Sequence, residues 1–126
     1  VFVAKSGFGG AEYLLAGMVT EGTRRGLPLG RIAALTATNP AQRFGVGARK
    51  GSIEVGKDAD LALVDLDAAW TVRAEDSEST QEYTPFEGFE MTARVTDTFL
   101  RGHRIVQDGV VLDEAPRGEL LRRPLA

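Results

Sequence analysis

Residues 44–65 read FGVGARKGSIEVGKDADLALVD, and the chain changes character on either side of this stretch. Within it, Ser52, Ile53, Glu54 and Val55 alternate as a short strand with Ile53 and Val55 on one face. Gly56, Lys57, Asp58 and Ala59 form a turn, and residues 60–65 a second strand. There Leu61 and Leu63 share one face while Ala62 and Val64 share the other, the pattern of a strand buried between layers. Everything upstream reads as helix and everything downstream as strands and loops. The stretch is the seam between the two.

Upstream, Ala11, Leu14, Leu15, Met18, Val19 and Gly22 recur at helical spacing and predict one apolar face. Glu12 and Glu21 precede Arg24 and Arg25, complementing the helix dipole, and Gly26 is a stop. Pro28 suits the first turn of a second helix running to about Thr38, with Leu29, Ile32, Ala33 and Leu35 inward. Pro40 disfavours helical geometry at Asn39, so this helix is expected to end there. Asn39 then caps a short third helix that ends near Phe44 and Gly45, a structural role rather than a catalytic one. Ahead of the helices, Val1, Phe2 and Val3 read as the end of a strand. Lys5, Ser6, Gly7, Phe8, Gly9 and Gly10 follow. Glycines before a helix suit close approach to an anionic or carbonyl oxygen, and equally an ordinary flexible connection. The spacing matches neither a Walker loop nor a dinucleotide fingerprint.

Downstream, Trp70, Thr71 and Val72 form a short strand. Residues 74–92 show no periodicity and hold six acids with no Lys or Arg. Such a stretch is either mobile or packs Tyr83, Phe86 and Phe89 against something. A three-stranded meander follows, with strands at 95–100, 104–107 and 110–112. Its turns fall at Gly102-His103 and at Asp108-Gly109, the latter a type I′ signal. Residues 114–126, with prolines at 116 and 124, read as a surface tail. The helical and strand parts lack a linker between them, so they pack on each other or on a shared neighbour.

The chain of 126 residues is 43% apolar and 26% charged, which suits one globular domain. A net charge of −3 gives no footprint for nucleic acid or anionic lipid. No apolar run approaches the ~20 residues of a membrane span. Cysteine is absent, which excludes disulfides, thiolate metal sites and cysteine nucleophiles and fits a reducing cytoplasm. No basic-then-apolar segment opens the chain, and with Val1 in first place a processed or truncated piece is expected. The one histidine, His103, sits in a turn, so neither a Ser-His-Asp set nor a histidine metal pair can be assembled. Asp58 and Asp60 are turn residues rather than ligands, because too few oxygen donors surround them.

Several runs recur in a familiar order and spacing: Glu21-Gly22, Asn39-Pro40-Ala41, Phe44-Gly45, Lys50-Gly51-Ser52-Ile53, Val55-Gly56 and Asp58-Ala59-Asp60-Leu61. They closely resemble the C-terminal part of the cyclic amidohydrolases: hydantoinases, dihydropyrimidinases, allantoinases and dihydroorotases. Tyr83-Thr84-Pro85-Phe86-Glu87-Gly88 and Thr98-Phe99-Leu100-Arg101-Gly102 resemble the same family's final segments. The resemblance runs to about Leu112, and Pro85-Phe86-Glu87-Gly88 favours the hydantoinase and allantoinase branches over the deacetylase branch.

The resemblance implies an α+β fragment: terminal helices of a metal-dependent hydrolase (β/α)8 barrel, followed by strands of a small β-sandwich. Residues 1–50 would be the end of the barrel, with its last βα loop and helices. Residues 51–113 would be the sandwich portion with an acidic loop at 74–92, and 114–126 the tail. The implied chemistry is a hydroxide bridging two divalent metals, usually zinc, that attacks a ring amide carbonyl. Metals serve it by lowering the pKa of water and polarising the carbonyl. The family's ligands are an early His-x-His pair, a carboxylated lysine, two further histidines and an aspartate after the last barrel strand. All would lie upstream of Val1, so this chain is expected to hold no catalytic residue, no metal ligand and no cofactor. Lys5 falls after the place of the metal aspartate and is not the bridging lysine. One site is carried over. Counting back from Glu12, the acid that begins the last barrel helix, Ser6 falls where hydantoinases place a residue whose backbone binds the substrate ring. Ser6 and Gly7 would then stand on the final βα loop, at the face where barrel active sites form.

The parent protein is thus expected to be a cytoplasmic homo-oligomer acting on a small cyclic amide, with no nucleic-acid or membrane partner, while this chain alone is inactive. Two other readings stand beside it. One is a non-catalytic dihydropyrimidinase-like scaffold, which substituted ligand positions upstream would reveal. The other is a self-standing oligomerisation module, in which the Leu14, Leu15 and Met18 face finds an internal partner.

Overall fold

The computed structural model describes Gly7, residues 9–112 and residues 117–122. Residues 1–3, read above as a strand end, lie outside that range, as do Lys5, Ser6 and parts of the tail. A 3-10 turn, Ala11–Tyr13, leads into helix α1, Leu14–Arg24. Its end is a Schellman arrangement. Gly26 takes φ 77°, its N–H donates to the Thr23 carbonyl at 2.9 Å, and the Leu27 N–H donates to the Gly22 carbonyl at 2.9 Å. The buried face differs from the expected stripe. Tyr13, Ala16, Val19, Thr20 and Gly22 are buried, whereas Leu14 is 59% exposed and Leu15 and Met18 only half-covered. Helix α1 is flanked by strands on one side and a second helix on another, so a wider arc than one stripe is covered.

The expected helix break at Asn39 does not occur. Helix α2 (Leu29–Ala33), a π-helical segment (Ala34–Thr38) and helix α3 (Asn39–Arg43) follow without interruption. Asn39 is itself helical, at φ −64° and ψ −45°, rather than a cap. Its N–H donates to the Ala34 carbonyl, an i→i−5 link, and the wider turn gives the Pro40 ring the room that a tight α-turn denies. Pro28 stands at the N-cap of α2, and of the residues expected inward only Ile32 is buried. Leu29, Ala33 and Leu35 are exposed.

Residues 52–55 form no strand, and Ile53 and Val55 project at 87% and 109% exposure. The loop is closed at its base instead. The Asp58 N–H donates to the Arg49 carbonyl at 3.0 Å, and Thr38 Oγ1 donates to the Gly51 carbonyl at 2.7 Å. No neighbouring strand reaches Ile53 and Val55 among the described residues, and a strand needs one. Strand β1 (Leu61–Asp65) forms where expected but is not buried between layers. It is an edge strand, hydrogen-bonded only to β4 (Arg94–Leu100), and Leu63 is 49% exposed. β2 (Trp70–Thr71) pairs with β3 (Glu90–Met91) in a separate two-stranded ribbon.

The meander is borne out. β4, β5 (His103–Gln107) and β6 (Val110–Val111) complete an antiparallel sheet of order β1-β4-β5-β6. Asp108 and Gly109 form the second turn with φ 52° and 78°. The first turn falls one residue earlier than expected, on Arg101 and Gly102 with φ 47° and 81°, so His103 opens β5 opposite Leu100.

Two small cores flank α1. Tyr13, Ala16, Val72 and Met91, with Trp70 and Phe86 against them, form one. Val19, Ile32 and Ala93, with Leu15, Met18 and Val64, form the other. The acidic segment is therefore packed. A 3-10 turn at Ala74–Asp76 starts it, Phe86 meets Tyr13 edge-on at 6.0 Å, and Val72 exchanges backbone hydrogen bonds with Gly88 and Phe89 at 2.9 Å each. Polar groups close the seam with α1: Thr20 Oγ1, buried, accepts the Thr92 N–H at 3.0 Å, and Trp70 Nε1 donates to the Ala93 carbonyl at 3.0 Å.

Candidate functional site

Of the two residues expected to present backbone to a substrate, Ser6 lies outside the described residues and Gly7 is exposed with φ 82°. Gly7 is not free-standing. Tyr83 Oη donates to its carbonyl at 2.5 Å, across 76 residues of sequence. Further along the same segment, Glu12 accepts a hydrogen bond from Ser77 Oγ, and its second oxygen accepts the Glu78 N–H at 3.2 Å. Gly9 lies under Ser79: a Cβ there would stand 2.7 Å from Ser79 Oγ. The glycine-rich segment is therefore held against residues 77–83. Tyr83 also lines an open cavity of about 440 Å³, whose wall carries Arg73, Glu75, Glu82 and Glu87. Glu87 is already engaged there, accepting the Ala74 N–H at 2.6 Å and lying 3.4 Å from Arg73 Nη1.

A second polar constellation lies at the seam. Asp58 Oδ2 stands 2.8 Å from Lys50 Nζ and 2.9 Å from Arg49 Nη2. Hydrogen bonds from Lys50 and then Arg49 hold its carboxyl below the usual range. Burial pushes the Asp60 carboxyl up, but Lys50 and the Arg101 N–H, donating at 2.8 Å, outweigh it and leave it lowered. Burial likewise draws Lys50 down, and the two carboxylates outweigh it and raise its pKa. Glu119 of the tail stands 3.8 Å from Arg49 Nη2 and 3.6 Å from Arg101 Nε. Asp58 and Asp60 are thus engaged by Lys50, Arg49 and the Arg101 amide. Among the described residues no group of three or more His, Cys, Asp or Glu could hold a metal ion. His103 is exposed at the head of β5.

The seam also borders a groove of about 620 Å³ between α1, α2 and β1, with Leu15, Leu29, Ile53, Leu61 and Leu63 in its wall. No described helix is long and apolar enough to cross a membrane.

The amidohydrolase family model matches residues 11–105. The chain belongs to the amidohydrolase family. It is 41% identical over 123 residues to an allantoinase of Rubrobacter xylanophilus, covering 97% of this chain and 27% of that protein. It is 36% identical over 124 residues to an L-hydantoinase of Paenarthrobacter aurescens, covering 98% of this chain and 27% of that protein. The D-hydantoinase (dihydropyrimidinase) from Thermus sp. superposes with a TM-score of 0.82 at 36% identity, over 86% of this chain and 24% of that one. The chain thus spans about a quarter of the length of the relatives it matches.

The amidohydrolase match begins at Ala11, so Gly7 and Ser6 fall just before it. It takes in the runs on which the resemblance rested, and the structure gives them packing roles. In the Asp58–Asp60 run the acids anchor Lys50 and the turn at Arg101. In the Tyr83–Gly88 run Thr84 is buried, Phe86 fills a core, Gly88 takes φ 78° and Tyr83 reaches Gly7. The tethers from Tyr83, Ser77 and Glu78 were not legible in the sequence. The nearest signal was a tyrosine beginning the Tyr83–Gly88 run, in an acidic segment without periodicity.

Proposed function

We propose that the whole protein hydrolyses the C–N bond of a cyclic amide or ureide, of hydantoin, dihydropyrimidine or allantoin type. Water adds to the ring carbonyl, the ring C–N bond breaks, and a carboxylate and an amine-side product leave on one open chain. The observation that supports this reading is the family match over residues 11–105, joined to relatives whose names all denote ring-opening enzymes.

On this reading residues 1–50 are the end of a (β/α)8 barrel, 51–113 a portion of a β-sandwich and 114–126 a tail. The divalent metal, zinc in the first instance, is held by residues outside this chain. Bound there, it would lower the pKa of a water and polarise the carbonyl. This chain's own contribution is backbone at Ser6 and Gly7, which orients the ring. The protein works in the cytoplasm as a homo-oligomer.

Turnover of hydantoin, dihydrouracil, allantoin and dihydroorotate by the full-length protein, with metal analysis alongside, is the test. Hydrolysis of at least one ring is expected, abolished by chelation and restored by zinc. The chain alone is expected to turn over none. A metal-loaded full-length protein inert toward all four would overturn the reading.

A further inference from the structure

We infer that residues 77–83 form a positioning strap that holds Gly7, Gly9 and Glu12 of the glycine-rich segment, and through them sets the grip on the substrate ring. The inference rests on the reading that Gly7 and its neighbour present backbone to that ring.

Gly7, Gly9 and Gly10 carry no side chains, and glycine loses the most conformational freedom on ordering. Beside the local bond from the Tyr13 N–H to the Gly10 carbonyl, 3.1 Å, contacts from elsewhere in the chain reach segment 7–12 at both ends. At the leading end Tyr83 Oη donates to the Gly7 carbonyl at 2.5 Å. At the trailing end Glu12 takes Ser77 Oγ on one oxygen and the Glu78 N–H, at 3.2 Å, on the other. Between them Ser79 occupies the space a side chain at Gly9 would need, 2.7 Å from its ideal Cβ. These contacts span 65 to 76 residues of sequence, so they come from the fold and not from a local turn.

The strap is itself anchored. Its turns close on the Ser77 and Ser79 hydroxyls, which accept the N–H groups of Ser79 at 3.0 Å and Gln81 at 3.4 Å. Its far end runs into buried Thr84 and core-packed Phe86, which touches Tyr13 directly after the segment. A fixed element thus clamps a soft one. Tyr83 acts on the segment through the Gly7 backbone carbonyl, so it is a positioning residue. A backbone grip acts on the ring alike in the ground state and the transition state, so loosening it raises KM and leaves kcat in place.

The test uses the full-length protein with Tyr83→Phe, Ser77→Ala and the pair combined. Tyr83→Phe keeps the ring and removes one hydrogen bond. A three- to tenfold rise in KM is expected, on the order of one net hydrogen bond, with kcat within about twofold and metal content unchanged. Amide hydrogen exchange over residues 7–13 should quicken in each variant, most in the double one. Unchanged KM and unchanged exchange in the double variant overturn the strap, as does a fall in kcat at constant KM. If the wild-type protein opens no ring, the functional reading falls by itself, and the exchange measurement still decides whether the strap exists.

Discussion

Gly51 and Gly56 offer a matched pair for separating backbone strain from packing. They take nearly the same left-handed conformation, φ 91° and 93°, within one loop. Their surroundings are opposite. A Cβ at Gly56 would meet nothing within 4 Å, whereas one at Gly51 would stand 2.4 Å from the Ala41 Cβ and 3.1 Å from the Ala37 carbonyl oxygen. Gly56→Ala therefore costs only the left-handed backbone term, about 1–2 kcal/mol. Gly51→Ala costs that plus an overpacking term of about 1–3 kcal/mol, because the atoms it strikes belong to helix backbone and to an alanine that cannot rotate away. The total is about 2–5 kcal/mol, a large share of a typical domain's ~5–15 kcal/mol. The Thr38 hydroxyl bond to the Gly51 carbonyl, 2.7 Å long, would be strained by the same displacement. Equilibrium urea unfolding, followed through the single tryptophan, Trp70, at the edge of one core, reads the difference. Equal midpoints for the two variants would refute the close approach of the loop to α3.

Two further outcomes follow from polar groups. Asp58 and Asp60 both have carboxyl pKa values below the usual range, so the stability they confer is present above their unfolded values, about 4. It is lost as pH falls through the lower folded values. Asp58→Asn should lower the urea midpoint at pH 7 and flatten its decline below about pH 4; an acid limb identical to wild type would contradict the cluster at Lys50. Thr20→Val keeps the shape of a buried residue but strands the Thr92 N–H, which lies 3.0 Å from the hydroxyl. A loss of about 1–3 kcal/mol is expected from chemical denaturation, and Thr20→Ser should recover most of it.

The elements that sequence reasoning reached are those specified within a few residues. Gly26 and Gly45 end helices because only a left-handed residue lets the next two N–H groups turn back on the last carbonyls. Asp108-Gly109 makes its hairpin for a similar local reason. Where it failed, the decision belonged to neighbours distant in sequence. Residues 52–55 alternate like a strand, but alternation forms a strand only where a partner offers hydrogen bonds, and none of the described residues does. The Pro40 break failed differently: a local rule met a local escape, since a π turn relieves the clash that the rule assumes.

The candidate site marks the same boundary more sharply. The family could be read from short runs because each encodes a turn or a close approach that tolerates few residues, such as Gly51 under Ala41 or Asp60 beneath the Arg101 amide. The strap could not, because a tyrosine hydroxyl and a glycine carbonyl 76 residues apart leave no periodicity and no spacing rule. Glycine-rich segments have this property in general: with no side chains to pack, they depend on other residues for their shape. That dependence accords with residues 74–92, which look dispensable by composition, being packed and tethered in the fold. It also directs mutagenesis toward Tyr83 and Ser77 rather than toward the conspicuous acids around them.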